Sequence, residues 1–326
     1  MSRSDITFSR VALAAMIGLA LVAAPSSGSA DRPESPPIFT FHSAFWINLH
    51  HFLYQQALSE NPALVDRNTD GTPTAELIES IEFYKQFLVS RDLLFDEGMV
   101  AAKNSLEDQE NNTSLLETVH LPESLANTLR QAAPAYRENW RMQQDRVNQE
   151  WIAKASPLVD QFGGRLVQGM SRIYQTPWPV SAVRVDVTNF ASWAGAYTTN
   201  NPTRITISSV DPANQGAAAL ETLFHEASHG ISRKLEQAIA RECASQKVVL
   251  PRKDLWHAVI FYTAGELVRR DFPDYTPYAY QNGLWKRAWP MYVDALERDW
   301  RPYLEGKVSF DSAVTTLVKD VGESER

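Results

Sequence analysis

Between Val183 and Ser208 the spacing of apolar residues drops from about four to two, and that change sets the fold class. Upstream, Phe45, Leu49, Leu53 and Ala57 recur every four residues, as one buried face of a helix requires. Leu77, Ile81, Tyr84 and Leu88 follow at steps of four, three and four. A third helix is expected around Glu97 to Glu107, and Leu121-Pro122-Glu123-Ser124 has Pro where a first helical turn accepts it. A long helix is expected from Ala135 to Tyr174, with Gly163-Gly164 as its point of interruption. Val183 to Val187 and Arg204 to Ser208 then alternate apolar and polar residues, as half-buried strands do, and Trp193 to Thr199 is rich in β-formers. Helix returns over Gln215 to Gln237, Leu255 to Arg270, Leu284 to Asp299 and Phe310 to Lys319. The chain reads as α+β, mostly α: a helical N-terminal region over 31–176, then a region over 177–326 with a small sheet packed by helices.

The start of the chain is of another kind. Arg3 and Arg10 flank a basic start, Val11 to Ala24 is an apolar or small run of 14 residues, and Gly28-Ser29-Ala30 is a small-residue cleavage pattern. This is the three-part pattern of a secretory signal peptide over residues 1–30, with an uncleaved anchor as the alternative; the run is short for a membrane span. The expectation is an exported protein, periplasmic or secreted, with no stable membrane span after cleavage. Cys243 is the single cysteine, so an intrachain disulfide and a four-cysteine metal site are both excluded. A net charge of −8 without a basic run is no nucleic-acid footprint.

The chemistry concentrates in Phe224-His225-Glu226-Ala227-Ser228-His229, an H-E-x-x-H segment. On a helix, residues four apart are rotated by only about 40°, so both imidazoles leave one face and can share a metal ion. Glu226, about 100° around the axis, can stand beside the metal as a general base toward water activated there. Ala217 to Leu220, Leu223, Phe224, Ala227 and Ile231 supply the apolar side that would bury such a helix. The alternative is a pair of histidines hydrogen-bonded inside a helical bundle, with Glu226 in an ion pair.

With this motif and two strand-like segments ahead of it, residues 182–282 resemble the zincin metallopeptidases. The resemblance implies one Zn2+ per chain, bound by His225 and His229, with Glu226 as the catalytic base. It also implies an edge strand that holds an extended peptide or protein substrate by backbone pairing. The third histidine of the metzincins is absent after Gly230. The gluzincin arrangement, with a Glu from a second helix, points to Glu266 as third ligand, although the spacing from His229 is long and the thermolysin-like Asn-Glu-x-x-Ser-Asp sequence is missing. Tyr262, one turn before Glu266, would orient it or donate to an oxyanion; His257, Tyr278 and Tyr280 are further candidates for that donation. His257, Asp271 and Asp274 remain alternatives as ligands.

His42, His50 and His51 form a second cluster, read either as hydrogen-bonding core groups of an aromatic helix or as a second metal site. The resulting expectation is an exported zinc metallopeptidase of gluzincin type. A zinc hydrolase of a non-peptide amide or ester, or a non-catalytic protein with a structural zinc, stays open beside it.

Overall fold

The strand Phe39–His42 (β1) enters the sheet just ahead of the periodic run that begins at Phe45. The computed structural model describes residues 36–59, 74–109 and 121–323, so the signal-peptide reading of residues 1–30 lies outside the described residues. After β1 come α1 (Phe45–Leu58), α2 (Ala75–Phe87), α3 (Glu97–Glu107), α4 (Glu123–Tyr136) and α5 (Met142–Tyr174). Strands β2 (Val183–Thr188), β3 (Ala196–Thr199) and β4 (Arg204–Ser208) precede α6 (Ala217–Ser228), α7 (Arg233–Gln246) and α8 (Leu255–Asp271). Short turns α9 (Tyr278–Gln281), α10 (Leu284–Arg287), α11 (Val293–Ala295) and α12 (Arg301–Leu304) lead to α13 (Phe310–Glu323). The α+β, mostly α class is what the structure shows. Among the described residues no helix is long and apolar enough to cross a membrane.

The sheet runs β1-β2-β4-β3, with β1, β2 and β4 parallel and β3 antiparallel at the edge. Strand alternation gives it two different faces. Val183, Val185, Val187, Ala196, Ile205 and Ile207 form the apolar face, sharing one core with α5, α6 and α8. A second core gathers α1 to α4 and takes Tyr197 from the opposite face of β3. Residues on both sides of position 177 thus share one sheet: β1 pairs with β2 across that expected boundary.

Other elements depart from expectation for identifiable reasons. The long helix does not break at Gly163; a side chain there would meet Ile38 Cδ1 at 2.7 Å, so the glycine serves the close approach of the chain entering β1. A π-turn at Arg137–Arg141 joins α4 to α5 instead. The expected helix over 284–299 is a string of short turns around Pro290, which lacks the amide needed to continue a helix. The helix that opens at Ala217 stops at Ser228, well short of Gln237.

The second sheet face is charged and buried. Lys103 and Glu107 are each 0% exposed and pair at 2.8 Å along α3. Glu107 also meets Arg204 of β4 at 3.2 Å, and Arg184 pairs with Asp186 within β2 at 2.8 Å. Removing one member of a buried pair leaves the other desolvated and unmatched. Lys103→Met is therefore expected to lower the unfolding free energy by about 3–5 kcal/mol. Urea titration checks this, and a loss below about 1 kcal/mol would mean that Arg204 alone satisfies Glu107.

Candidate metal centre

Helix α6 begins at Gly216, whose φ of 58° suits a residue without a side chain. Its Leu220, Leu223, Phe224 and Ala227 pack into the core. The last turn tightens through His229 N to Glu226 O at 3.2 Å and Gly230 N to Ala227 O at 3.1 Å. A side chain at Gly230 would meet Thr203 Oγ1 at 2.5 Å, so the helix ends against the β3–β4 turn. His229 keeps helical torsions as the capping residue and stays on the face of His225.

Helix α8 brings the third group. His225, His229 and His257 each offer a ring nitrogen, and these atoms lie within 4.8 Å of one another, the metal-capable group among the described residues. The two helices meet stripe on stripe. His229 and His257 have ring centroids 5.1 Å apart, and one turn along, the Phe261 ring lies on His225 at 3.6 Å. A further turn along, Gly265 leaves room for Glu221, whose Oε1 would lie 3.1 Å from an added side chain. Trp256 stacks on His257 at 5.1 Å and Trp289 meets its edge at 5.4 Å.

Glu266, expected as the third ligand, is elsewhere. Its carboxylate accepts from Arg269 at 2.7 Å and faces Arg301 at 3.7 Å. The physical reason is rotation: nine residues separate it from His257, about half a turn around the helix axis. Tyr262 belongs to the same network, accepting a hydrogen bond from Arg301 Nε at 2.9 Å. Of the expected oxyanion donors, His257 joins the imidazole group, Tyr280 donates to Glu297 at 2.7 Å, and Tyr278 stacks on Phe261 at 5.8 Å. His50 bonds Tyr84 at 2.7 Å and His51 bonds Tyr197 at 2.9 Å, as core polar groups do, while His42 ends β1.

Glu226 is 8% exposed, and Thr198 of β3 holds it: the threonine hydroxyl lies 2.6 Å from Oε2 and 2.9 Å from the Glu226 carbonyl. Burial raises its carboxyl to about 7, against the pull of the Thr198 hydrogen bond. Glu221 also rises to about 7 by burial, while accepting from Tyr278 N at 3.0 Å. Burial, then the neighbouring imidazoles, hold His225 well below its usual range. Burial lowers His229 to about 3 and His257 to about 4. Thr198, Glu221 and Phe261 were not singled out from the sequence, because each acts through a neighbour distant in the chain. Strand alternation alone could have placed Thr198 on the α6 side.

The fit to a metal ion is good. The donors are three imidazoles that burial shifts toward the neutral form, in which histidine binds a metal. Comparison with protein-family models, with curated proteins and with solved structures gives no match.

Two expectations follow. In a helix interior Gly→Ala ordinarily stabilises by about 1 kcal/mol. At Gly265 the new side chain would meet Pro277 Cβ at 2.6 Å, so Gly265→Ala is expected to lower the melting temperature; a raised one would refute the close approach. Protons compete with metal only where the ligands titrate. Affinity for a divalent ion should therefore hold level below neutral pH and fall as His257 and His229 protonate at about 4 and about 3. Chelator competition across pH reads this directly, and a decline that begins near 6.5 would show ordinary, solvated histidines.

Proposed function

We propose that this chain is a metal-dependent hydrolase, with zinc as the resident ion and peptide bonds as the substrate class. The observation that carries the reading is the convergence of His225, His229 and His257 on α6 and α8, with the buried Glu226 one residue along α6. Three imidazoles match the protein ligand number of catalytic zinc, whereas a structural zinc takes four. A bound Zn2+ would act there as a Lewis acid toward water and carbonyl oxygen.

The chain's own groups supply the rest. Thr198 fixes Oε2 of Glu226 and leaves Oε1 to take a proton from water and return it to the leaving amine. A carboxyl raised to about 7 is poised for both transfers near neutral pH. Peptide is favoured over other amides and esters by β3, an antiparallel edge strand that could take an extended chain by backbone pairing. The strand lies along α6: the Gly195 carbonyl accepts from Asn214 just ahead of the helix, and Thr198 reaches Glu226 near its end. A peptide paired to it would pass over Glu226.

Metal analysis and a peptide-library assay test the proposal together. One zinc per chain is expected, lost in His225→Ala, His229→Ala and His257→Ala and retained in Glu266→Ala. Glu226→Gln should keep zinc and lose hydrolysis by about 100-fold or more. Undiminished zinc in the His257 variant, or near-normal turnover by Glu226→Gln, would defeat the assignment; cleavage of esters with no cleavage of peptides would move the substrate class.

A further inference from the structure

Thr198 presents Glu226 from one face of β3, and the other face of that strand is gripped by charged groups with no part in the chemistry above. Alternation sends Thr198 toward α6 and its neighbours Tyr197 and Thr199 toward α1 and α3. Thr199 Oγ1 accepts from Lys103 Nζ at 2.8 Å and donates to Asn104 Oδ1 at 3.3 Å. The same ammonium pairs with Glu107 at 2.8 Å and lies 5.5 Å from the centre of the Tyr197 ring. His51 Nε2 hydrogen-bonds the Tyr197 hydroxyl at 2.9 Å. Glu107 reaches on to Arg204, the β4 residue in register with Thr199.

A fully buried ion pair is a poor way to gain stability, because apolar residues of similar volume usually do as well. What charge adds here is direction. Strand β3 is four residues long and pairs with β4 on one side only, so few backbone hydrogen bonds hold it in place. A slip by one residue would exchange Thr198 for a neighbour and turn its hydroxyl away from Glu226. Lys103, with three donors, ties the strand from behind through Thr199.

We infer that the buried Lys103–Glu107 pair is a positioning clamp: through Thr199 and Tyr197 it sets β3 so that Thr198 keeps Glu226 turned toward the three histidines. The inference rests on the reading of Glu226 as the base. Lys103 and Glu107 are positioning residues and touch no substrate.

Thr199→Val removes the gripped oxygen with almost no change of shape and leaves the ion pair intact, so the fold survives; Thr199→Ser restores the oxygen. Two readouts are paired on the zinc-loaded protein. Hydrogen exchange over residues 196–199 should quicken in Thr199→Val and match wild type in Thr199→Ser. With a cleaved library peptide, kcat should fall about tenfold or more in the valine variant, because the base is misplaced, and KM should rise as well, because the same strand pairs with the peptide. The serine variant should stay within about twofold of wild type. Zinc content should be unchanged in both, and the valine variant should melt somewhat lower, by the cost of one unmatched ammonium hydrogen. Unchanged exchange in the valine variant overturns the clamp whatever the chain hydrolyses. Faster exchange with unaltered kcat overturns its link to Glu226, and loss of zinc, or a fall in melting temperature as large as that of Lys103→Met, reduces the pair to a structural one. Should the wild-type protein cleave no peptide, the reading of Glu226 falls, and the exchange result still decides whether the strand is clamped.

Discussion

The antiparallel crossing of α6 and α8 is the constraint on which the candidate centre depends. Each helix offers a stripe at four-residue spacing: Glu221, His225 and His229 on one, His257, Phe261 and Gly265 on the other. Matched rung by rung, they set imidazole against imidazole, ring on ring, and a carboxylate into the space of a missing side chain. Successive rungs are about 6 Å apart along each axis, so a shift of either helix by one turn would put Phe261 where His257 stands. The glycine lets the far end close, and the aromatic rung covers His225, while His229 and His257 stay half-buried. Burial lowers all three imidazoles and so favours the neutral form, in which they bind a metal.

What was legible in the sequence is what depends on neighbours along the chain. The four-residue spacing of His225 and His229, the apolar side of their helix, the alternation of β2 and β4, and the mostly helical character all follow from local periodicity. The third group was misplaced because it depends on a crossing. Glu266 lies in an apolar stretch of α8, beside small residues that do face α6, and a carboxylate there looks costly without a cation. Its cations are Arg269, one turn on in the same helix, and Arg301, 35 residues further along the chain. Half a turn of helix decides between it and His257, and no pattern within α8 states which half faces α6. Strand β1 escaped notice for a similar reason: its four residues carry too little alternation to be separated from the helix that follows.

The N-terminal half carries no catalytic motif, yet it decides how the centre is presented. The sheet stands between two cores, with its apolar face toward α5 and α6 and its charged face toward α1 and α3. Because β3 sits at the edge, the two faces of four residues are all that joins the halves at this point. Tyr197 enters the N-terminal core, and Ala196 enters the core of α6. A small shift in the packing of α3 would therefore reach Glu226 through one strand, without passing through the interior of the sheet.

Glu221 shows how the same stripe separates ligands from structure. It precedes His225 by one turn and shares its face, as His229 does, so spacing alone would admit it to a metal site. The crossing sends it elsewhere: opposite Gly265 there is no ring nitrogen to meet, and the carboxylate turns to the backbone amide of Tyr278. Burial raises Glu221 and Glu226 alike to about 7, yet their surroundings divide their roles. Glu221 is closed beneath the 275–278 segment and held by a backbone donor; Glu226 is held at one oxygen by the Thr198 hydroxyl, beside the histidines, where the proposed proton transfer would use the other oxygen. Helix spacing proposes candidates on a face, and the partner helix chooses among them.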